Sequence, residues 1–337
     1  MNQVKTFFKI IDPILGEALG KEVLNFNSPK SYQYFIDCKD THKSWQSLEI
    51  FLHGTTMELL STYLKSLSED QEPSVFGFLN WPALKDSPTL GFVTELTLNV
   101  ALAIYVQRIG DRNNDHICSS AGRYKFYKTF YGFNHSIYRE VEYNELRQQA
   151  LYPSEIANLR EENISFSSSK CESKNHEGGD FKLENMIKKI KAITPKGKKD
   201  EEMWKRTIRA SPSVSKVLEH GKQLLKMDNG DTDRRTKSER EIVKWRGLLR
   251  HTKYLLVDTP YVQSFSGKRL SDSLLQFDKE CDSKRLEYWQ MVREGIPMES
   301  IRYVSIPVQC SDQADDDDII YCYEADDSDQ DSSDEDE

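Results

Sequence analysis

Apolar residues recur at three- and four-residue spacings along much of this chain, which is the period of an amphipathic α-helix. The clearest stripe lies in residues 44–67, where its members are Trp45, Leu48, Phe51, Leu52, Leu59, Leu60, Tyr63 and Leu64. Gly54 interrupts the stripe, and we expect a packing contact or a break there. The pattern predicts a long helix with one buried face.

The most apolar stretch is LGFVTELTLNVALAIYVQRIG, residues 90–110. Its length invites comparison with a membrane span, which needs about 20 predominantly apolar residues. Glu95, Asn99 and Gln107 interrupt it, and the apolar run between the last two is much shorter than that. We therefore expect a buried central helix and no membrane partner.

The remaining patterns predict a mainly α fold, with a helical body, few short strands and a disordered acidic C-terminal tail. Residues 165–179 are rich in serine, glycine and charge, which is typical of a linker. The predicted domains are an aromatic-rich helical domain (1–164), this linker (165–179), a basic helical domain (180–302) and the tail (303–337).

Charge is divided unequally between the body and the tail. The chain has 46 Lys and Arg against 55 Asp and Glu, a net charge of −9, but no basic residue follows Arg302. Residues 303–337 contain fourteen acids, so residues 1–302 have a net charge of +5. The six cysteines are scattered without CxxC spacing, which favours reduced thiols in the nucleus or cytoplasm.

Two segments concentrate the basic residues. Residues 182–209 contain ten Lys or Arg, and residues 234–253 contain eight, with Trp245 and Leu249 expected to face inward. A row of cations can neutralise phosphates without reading bases. The candidate nucleic-acid contacts are Lys188, Lys189, Lys191, Lys198, Lys199, Arg240 and Lys244. A solvated helix face is the alternative, and the first segment also fits a nuclear-import patch.

The acidic tail contains one apolar island within DDDDIIYCYEADD. The island consists of Ile319, Ile320, Tyr321, Cys322 and Tyr323, and a short β-prone segment of this kind suits strand addition to a partner's sheet edge. It resembles a SUMO-interacting motif, which implies a SUMO-like partner. An acid follows three residues after each of Ser328, Ser332 and Ser333, as acidophilic kinases prefer, and phosphorylation would add charge. The alternatives are a solubilising tail and a tail that folds back on the basic body.

Enzyme motifs do not stand out. The sequence lacks GxSxG, GxxxxGK[ST], GxGxxG and HExxH. The catalytic alternative is a divalent-metal nuclease, which needs two or three carboxylates converging on Mg²⁺. Its candidates are Asp180 and Glu184, assisted by Asp37, Asp40 or Asp258, and their spacing is unspecific. We therefore predict no metal site and no cofactor, with Mg²⁺ as the alternative.

Three stretches together resemble a known group of proteins: KDTHKSWQSLEIFLHG, RYKFYKTFYGFNHSIYREVEYNELR and GGDFKLENMIKKIK. They are similar to uncharacterised animal proteins derived from mobile elements and related to transposases, over about residues 32–208. The resemblance implies a nuclear, DNA-related ancestry and places Asp180 or Glu184 at a late acidic position of a nuclease-type core. Upstream strand-end aspartates are missing, so a fragment or an inactive derivative is expected.

These observations favour a non-catalytic nuclear interaction protein. Its body would associate with nucleic acid and its tail would dock a partner protein. The alternatives are a divalent-metal-dependent transposase or nuclease derivative, and a cytoplasmic structural protein.

Overall fold

The computed structural model describes residues 2–133, 135–162, 165–167, 176–178, 231–301 and 306–308, together with single positions at 187, 205, 206, 209, 212, 213 and 216. Within these residues the protein is mainly α, as the hydrophobic pattern predicts. Residues 309–337 lie outside the described residues. The predictions of a disordered tail, of docking at Ile319, Ile320, Tyr321, Cys322 and Tyr323, and of phosphorylation at Ser328, Ser332 and Ser333 therefore stay predictions.

The helices in chain order are α1 (Asn2–Ile11), α2 (Pro29–Ile36), α3 (Thr41–Ser66), α4 (Val75–Leu84), α5 (Pro88–Glu95), α6 (Leu102–Asn113), α7 (His116–Gly132), α8 (Ser136–Leu151), α9 (Ser154–Glu162), α10 (Asp231–His251) and α11 (Phe277–Arg293). Two π-helical segments, Asp12–Gly16 and Ala18–Val23, extend α1. A third, Leu96–Ala101, joins α5 to α6. Short 3₁₀ turns lie at Tyr254–Leu256, Asp272–Gln276 and Met298–Ser300.

The predicted amphipathic helix is α3. Asp40 caps its first turn by accepting hydrogen bonds from the backbone N–H groups of His42 and Lys43, both at 3.1 Å. Most of the predicted stripe is buried, but the prediction is wrong for Leu60 and Leu64, which are 43% and 45% exposed. They lie at the edge of the stripe, beside the exposed Met57, on a face that no described helix covers.

The apolar segment from α5 to α6 runs through the core, as predicted. By length and composition alone, Pro88–Asn113 could cross a membrane, and 61% of its apolar window is buried inside the protein. Its fully buried side chains include Leu90, Val93, Leu96 and Ile104. Packing in the core therefore accounts for the apolar sequence of this segment.

One hydrophobic core contains residues from both predicted helical domains, 1–164 and 180–302. The core cluster extends from Val4 to Val308. α10 packs on α3, and α11 packs on α7. Phe277 of α11, for example, meets Phe92 of α5 edge to face, with ring centroids 5.7 Å apart. Apolar faces from both predicted domains are therefore buried against each other.

Both ends of the predicted linker form a strand pair, and the start of the predicted tail contributes to the core. β1 (Ser165–Ser167) and β2 (His176–Gly178) are antiparallel, with Ser165 opposite Gly178. Beyond residue 302, Ile306 and Val308 are buried, and the Ile306 N–H donates to the Gly132 carbonyl at 2.8 Å. The folded part of the chain therefore reaches at least residue 308, because these apolar residues complete the core.

Candidate functional site

The predicted basic segment at residues 234–253 forms most of α10, which lies parallel to α3. Contacts advance together along both helices: Gln46 donates to Ser238 at 2.9 Å, and the Trp245 Nε1–H donates to Thr55 Oγ1 at 3.0 Å. Gly54 allows the close approach, because a Cβ there would lie 2.5 Å from the Trp245 ring. Gly54 is thus a packing contact, one of the two outcomes expected.

The buried face of α10 determines which of its basic side chains face solvent. Trp245 and Leu249 are fully buried, as predicted. Arg240 and Lys244 lie on the opposite side and are exposed. The sequence pattern therefore predicted correctly that Trp245 and Leu249 face the core, and this leaves Arg240 and Lys244 facing solvent.

One ion pair fastens the end of α10 to α3. Arg250 donates from Nε to Glu58 Oε1 at 3.0 Å and from Nη2 to Oε2 at 2.8 Å. The Glu58 side chain is 5% exposed, whereas that of Arg250 is 52% exposed. The hydrogen bonds to Glu58 raise the pKa of Arg250. A buried carboxylate is thereby neutralised by a cation that also faces solvent.

A cleft of about 440 Å³ opens beside this ion pair. Its walls come from the end of α3, from Trp81 of α4, from the start of α5 and from the turn after α10. Four cations line it (Lys65, Lys85, Arg250 and Lys253) with two carboxylates (Glu58 and Asp258), which gives a net formal charge of +2. Since Glu58 is occupied by Arg250, the lysines dominate the electrostatics of the opening.

Hydrogen bonds hold the two sides of the cleft together. Ser87, which caps α5, donates from Oγ to the Val257 carbonyl at 2.9 Å. Thr89 Oγ1 accepts from the Gln263 N–H at 3.1 Å, so the chain after α10 is tied to the start of α5. The aromatic wall is packed as well, since the Tyr63 and Trp81 rings lie edge to face at 5.9 Å. The cleft is therefore built on packed elements.

Lys253 has an unusual backbone conformation at the cleft. Its φ and ψ are 52° and 30°, in the left-handed region that favours glycine at a helix C-terminus. For another residue type this conformation costs about 1 kcal/mol or more. A lysine in this position keeps a cation on the cleft wall at the expense of backbone strain.

None of the four cleft cations is among the candidate contacts predicted from the sequence. Arg250 and Lys253 at least lie in the predicted basic segment at residues 234–253, whereas Lys65 and Lys85 were missed altogether. Lys65 and Lys85 are isolated lysines at the ends of α3 and α4, far in sequence from α10. A density of basic residues along the chain cannot identify them. Their only local signal is position, because cations are favoured in the last turn of a helix.

The other predicted site residues are partly outside the described residues and partly in structural contacts. Lys188, Lys189, Lys191, Lys198 and Lys199, as well as Asp180 and Glu184, are outside the described residues. In the described ranges no three His, Cys, Asp or Glu side chains are grouped as a metal site would require. Asp40 caps α3, and Asp37 accepts from Gln33 at 3.1 Å. These two aspartates therefore have structural contacts.

A second Glu–Arg pair is buried between α8 and α11. The Glu142 and Arg285 side chains form an ion pair and are 4% and 5% exposed. The Arg285 guanidinium lies 4.8 Å from the ring centroids of both Tyr124 and Trp289. Burial raises the pKa of Glu142, and the Arg285 cation opposes that shift. Both side chains of this pair are almost fully buried, so the cleft is the better candidate site.

No family model, curated protein or solved structure matches this chain. The resemblance to transposase-like proteins of animals therefore stays a prediction.

Proposed function

We propose that the protein is an interaction protein that binds the phosphate backbone of nucleic acid through the cleft and the exposed face of α10. The observation that supports this function is the meeting of Lys65, Lys85, Arg250 and Lys253 around one opening. Cations of this kind attract phosphates without distinguishing bases. Binding is expected to be independent of sequence and strongly dependent on salt.

The geometry of the cleft suits this ligand. A volume of about 440 Å³ leaves room for a phosphate group between the lysines. Arg240 and Lys244 extend the positive surface along α10, away from the cleft. A polymer could contact both regions, whereas a small anion would need the cleft alone.

Three further parts of the proposal rest on sequence. Residues 188–199 fit a nuclear-import patch, which favours the nucleus over the cytoplasm. The apolar island at 319–323 fits strand addition to a SUMO-like partner. The ancestry is that of the transposase-like proteins, without catalysis by Asp180 or Glu184 and without bound Mg²⁺.

Fluorescence anisotropy tests the central part. The full chain is titrated into labelled single-stranded and duplex DNA and into RNA at about 50 mM salt. A second full chain, with Asp315, Asp316, Asp317 and Asp318 changed to Asn, shows whether the tail's charge competes. We expect binding that is weakened at least about tenfold when Lys65, Lys85 and Lys253 are all changed to Ala.

The matched control changes three exposed lysines away from the cleft, Lys30, Lys39 and Lys268, to Ala. Both triple variants remove the same net charge, so a cleft-specific effect separates them. Equal losses would show that net charge alone matters, and absence of binding by both full chains at low salt would contradict the proposed function.

A further inference from the structure

An apolar stripe lies exposed on the outer face of α3. It consists of Met57, Leu60 and Leu64, which are 47%, 43% and 45% exposed and line a shallow groove with Ser61. Their spacing of three and four residues puts them in one row along the helix. Within the described residues no other element covers this row, and contiguous exposed apolar surface often marks an interaction site.

Cations border the α3 stripe (Met57, Leu60 and Leu64) on two sides. Lys65 lines both the groove and the basic cleft, so the two surfaces are continuous. Along α10, the Arg246 Nη1 atom lies 3.9 Å from the Met57 sulfur. Arg250 follows one turn later and is half exposed. A matching ligand would have an apolar centre with acids on its flanks.

The chain contains such a segment in its own tail. Residues 319–323 are apolar or aromatic, with four aspartates directly before them and Glu324, Asp326 and Asp327 directly after. As an extended strand these five residues span about 13 Å. The α3 stripe spans about 10 Å from Met57 to Leu64, at a helical rise of about 1.5 Å per residue. The lengths and the charge patterns therefore correspond.

The segment between the core and the apolar island is comparable in length to the dimensions of the body. Ten residues, 309–318, separate Val308, which is anchored in the core, from Ile319. Fully extended, they reach up to about 36 Å, which compares with a radius of gyration of about 19 Å for a body of some 300 residues. A flexible tether of this length gives an effective concentration of about 1 mM, so a contact whose dissociation constant is below that value would be mostly formed.

We propose that residues 319–323 dock on the α3 stripe of the same chain, with the flanking acids against Lys65, Arg246 and Arg250. The docked acids then occupy the mouth of the basic cleft and compete with phosphates there. This regulatory consequence rests on the proposed function, whereas the docking does not. Phosphorylation at Ser328, Ser332 or Ser333 would strengthen the contact by adding negative charge.

A peptide titration tests the docking directly. The receptor is the full chain with Ile319→Ser and Ile320→Ser, which disarms its own tail, and the probe is a labelled synthetic peptide of residues 312–330. We expect saturable binding that weakens at least about tenfold with Leu60→Ser in the receptor. Leu64→Ser should act in the same way, and thermal melts confirm that each receptor is folded.

The matched control is Leu286→Ser, at a leucine of α11 that is 63% exposed and outside the stripe. It should leave peptide binding unchanged, and a peptide with Ile319→Ser and Ile320→Ser should not bind. Binding that is insensitive to both Leu60→Ser and Leu64→Ser would overturn the proposal. Pairing of the stripe with a second copy of the chain would also overturn it. That result would appear in light scattering as a mass that rises with the concentration of the wild-type chain and does not rise for Leu60→Ser.

Failure of this inference differs from failure of the proposed function. If the peptide does not bind but the cleft triple variant still loses nucleic acid, the docking is wrong and the function stands. If the peptide binds and nucleic acid does not, the docking stands and the proposed function is wrong.

Discussion

Two Glu–Arg pairs illustrate how one interaction serves two purposes in this protein. The Glu142–Arg285 pair is buried at both ends and covered by Tyr124 and Trp289. The Glu58–Arg250 pair is buried only at its carboxylate, and its arginine is 52% exposed beside the cleft. The first pair can only connect helices, whereas the second holds a cation where a solvent-borne anion could reach it.

The surroundings enlarge this difference. Near Arg285 the neighbours are aromatic rings, so burial favours the neutral form of Glu142 and raises its pKa. Near Arg250 the neighbours include three lysines whose charges face the opening. Both pairs join a glutamate to an arginine, so the neighbours distinguish them. Aromatic neighbours indicate a structural contact, and further cations beside an opening indicate a candidate binding site.

The largest expected effect comes from removing the buried arginine. Arg285→Met leaves Glu142 without its cation in a buried site, and we expect a loss of about 3 to 5 kcal/mol in the free energy of unfolding. Denaturant melts of the full chain measure it. Arg250→Met is the matched change; we expect a smaller loss of stability, because Arg250 is half exposed and Arg246 Nε lies 3.8 Å from the same carboxylate.

The same two variants should differ in the opposite order in their affinity for nucleic acid. Arg250→Met should weaken association with nucleic acid, and Arg285→Met should not, provided that it is assayed at a temperature where it is folded. Similar losses of stability in the two variants would contradict the distinction between the pairs.

Acid should act on the buried region through His135. Burial lowers the pKa of His135 from 6.5 to about 4, with Lys9 and Arg139 contributing. Between these values the unfolded chain binds more protons than the folded one, so stability falls as the pH falls. The contribution is about 2 kcal/mol between pH 7 and pH 5.

The variant His135→Gln isolates this effect, because Glu142 and other buried acids with raised pKa values shift stability in the opposite direction. We expect the stability difference between wild type and variant to change by that amount across the pH range. A difference that stays constant from pH 7 to pH 5 would show that His135 is protonated equally in both states.

A smaller effect is expected at Lys253. Lys253→Gly relieves the left-handed backbone strain and should raise the free energy of unfolding by about 1 kcal/mol. It also removes a cleft cation, so nucleic-acid affinity should fall. Lys253→Ala is the control, since it removes the cation and keeps the strain. If Lys253→Gly gains stability without losing affinity, Lys253 has no part in binding.

Much of the fold is predictable from short-range patterns. The stripe at residues 44–67 identified α3, and the apolar run at 90–110 identified a buried segment. Trp245 and Leu249 gave the orientation of α10. These predictions succeed because a helical period ties each residue to neighbours three and four positions away.

What the sequence could not supply depends on contacts between distant segments. The shared core across the predicted domain boundary arises because α10 lies on α3, some 190 residues away in sequence. The cleft has the same origin, since Lys65 and Lys85 meet Arg250 and Lys253 only after folding. Leu60 and Leu64 were expected in the core and are exposed. A helical pattern shows that a face is apolar, but it does not show whether another element of the fold packs on all of that face.

The salt dependence of nucleic-acid binding tests the central claim most directly. For the full chain, the logarithm of the association constant is measured against the logarithm of salt concentration. Each phosphate contact adds about 0.9 to the slope. Changing Lys65, Lys85 and Lys253 to Ala should lower the magnitude of the slope by about 2 to 3, while the Lys30, Lys39 and Lys268 control keeps the wild-type slope. Identical slopes for all three proteins would contradict the assignment of binding to the cleft.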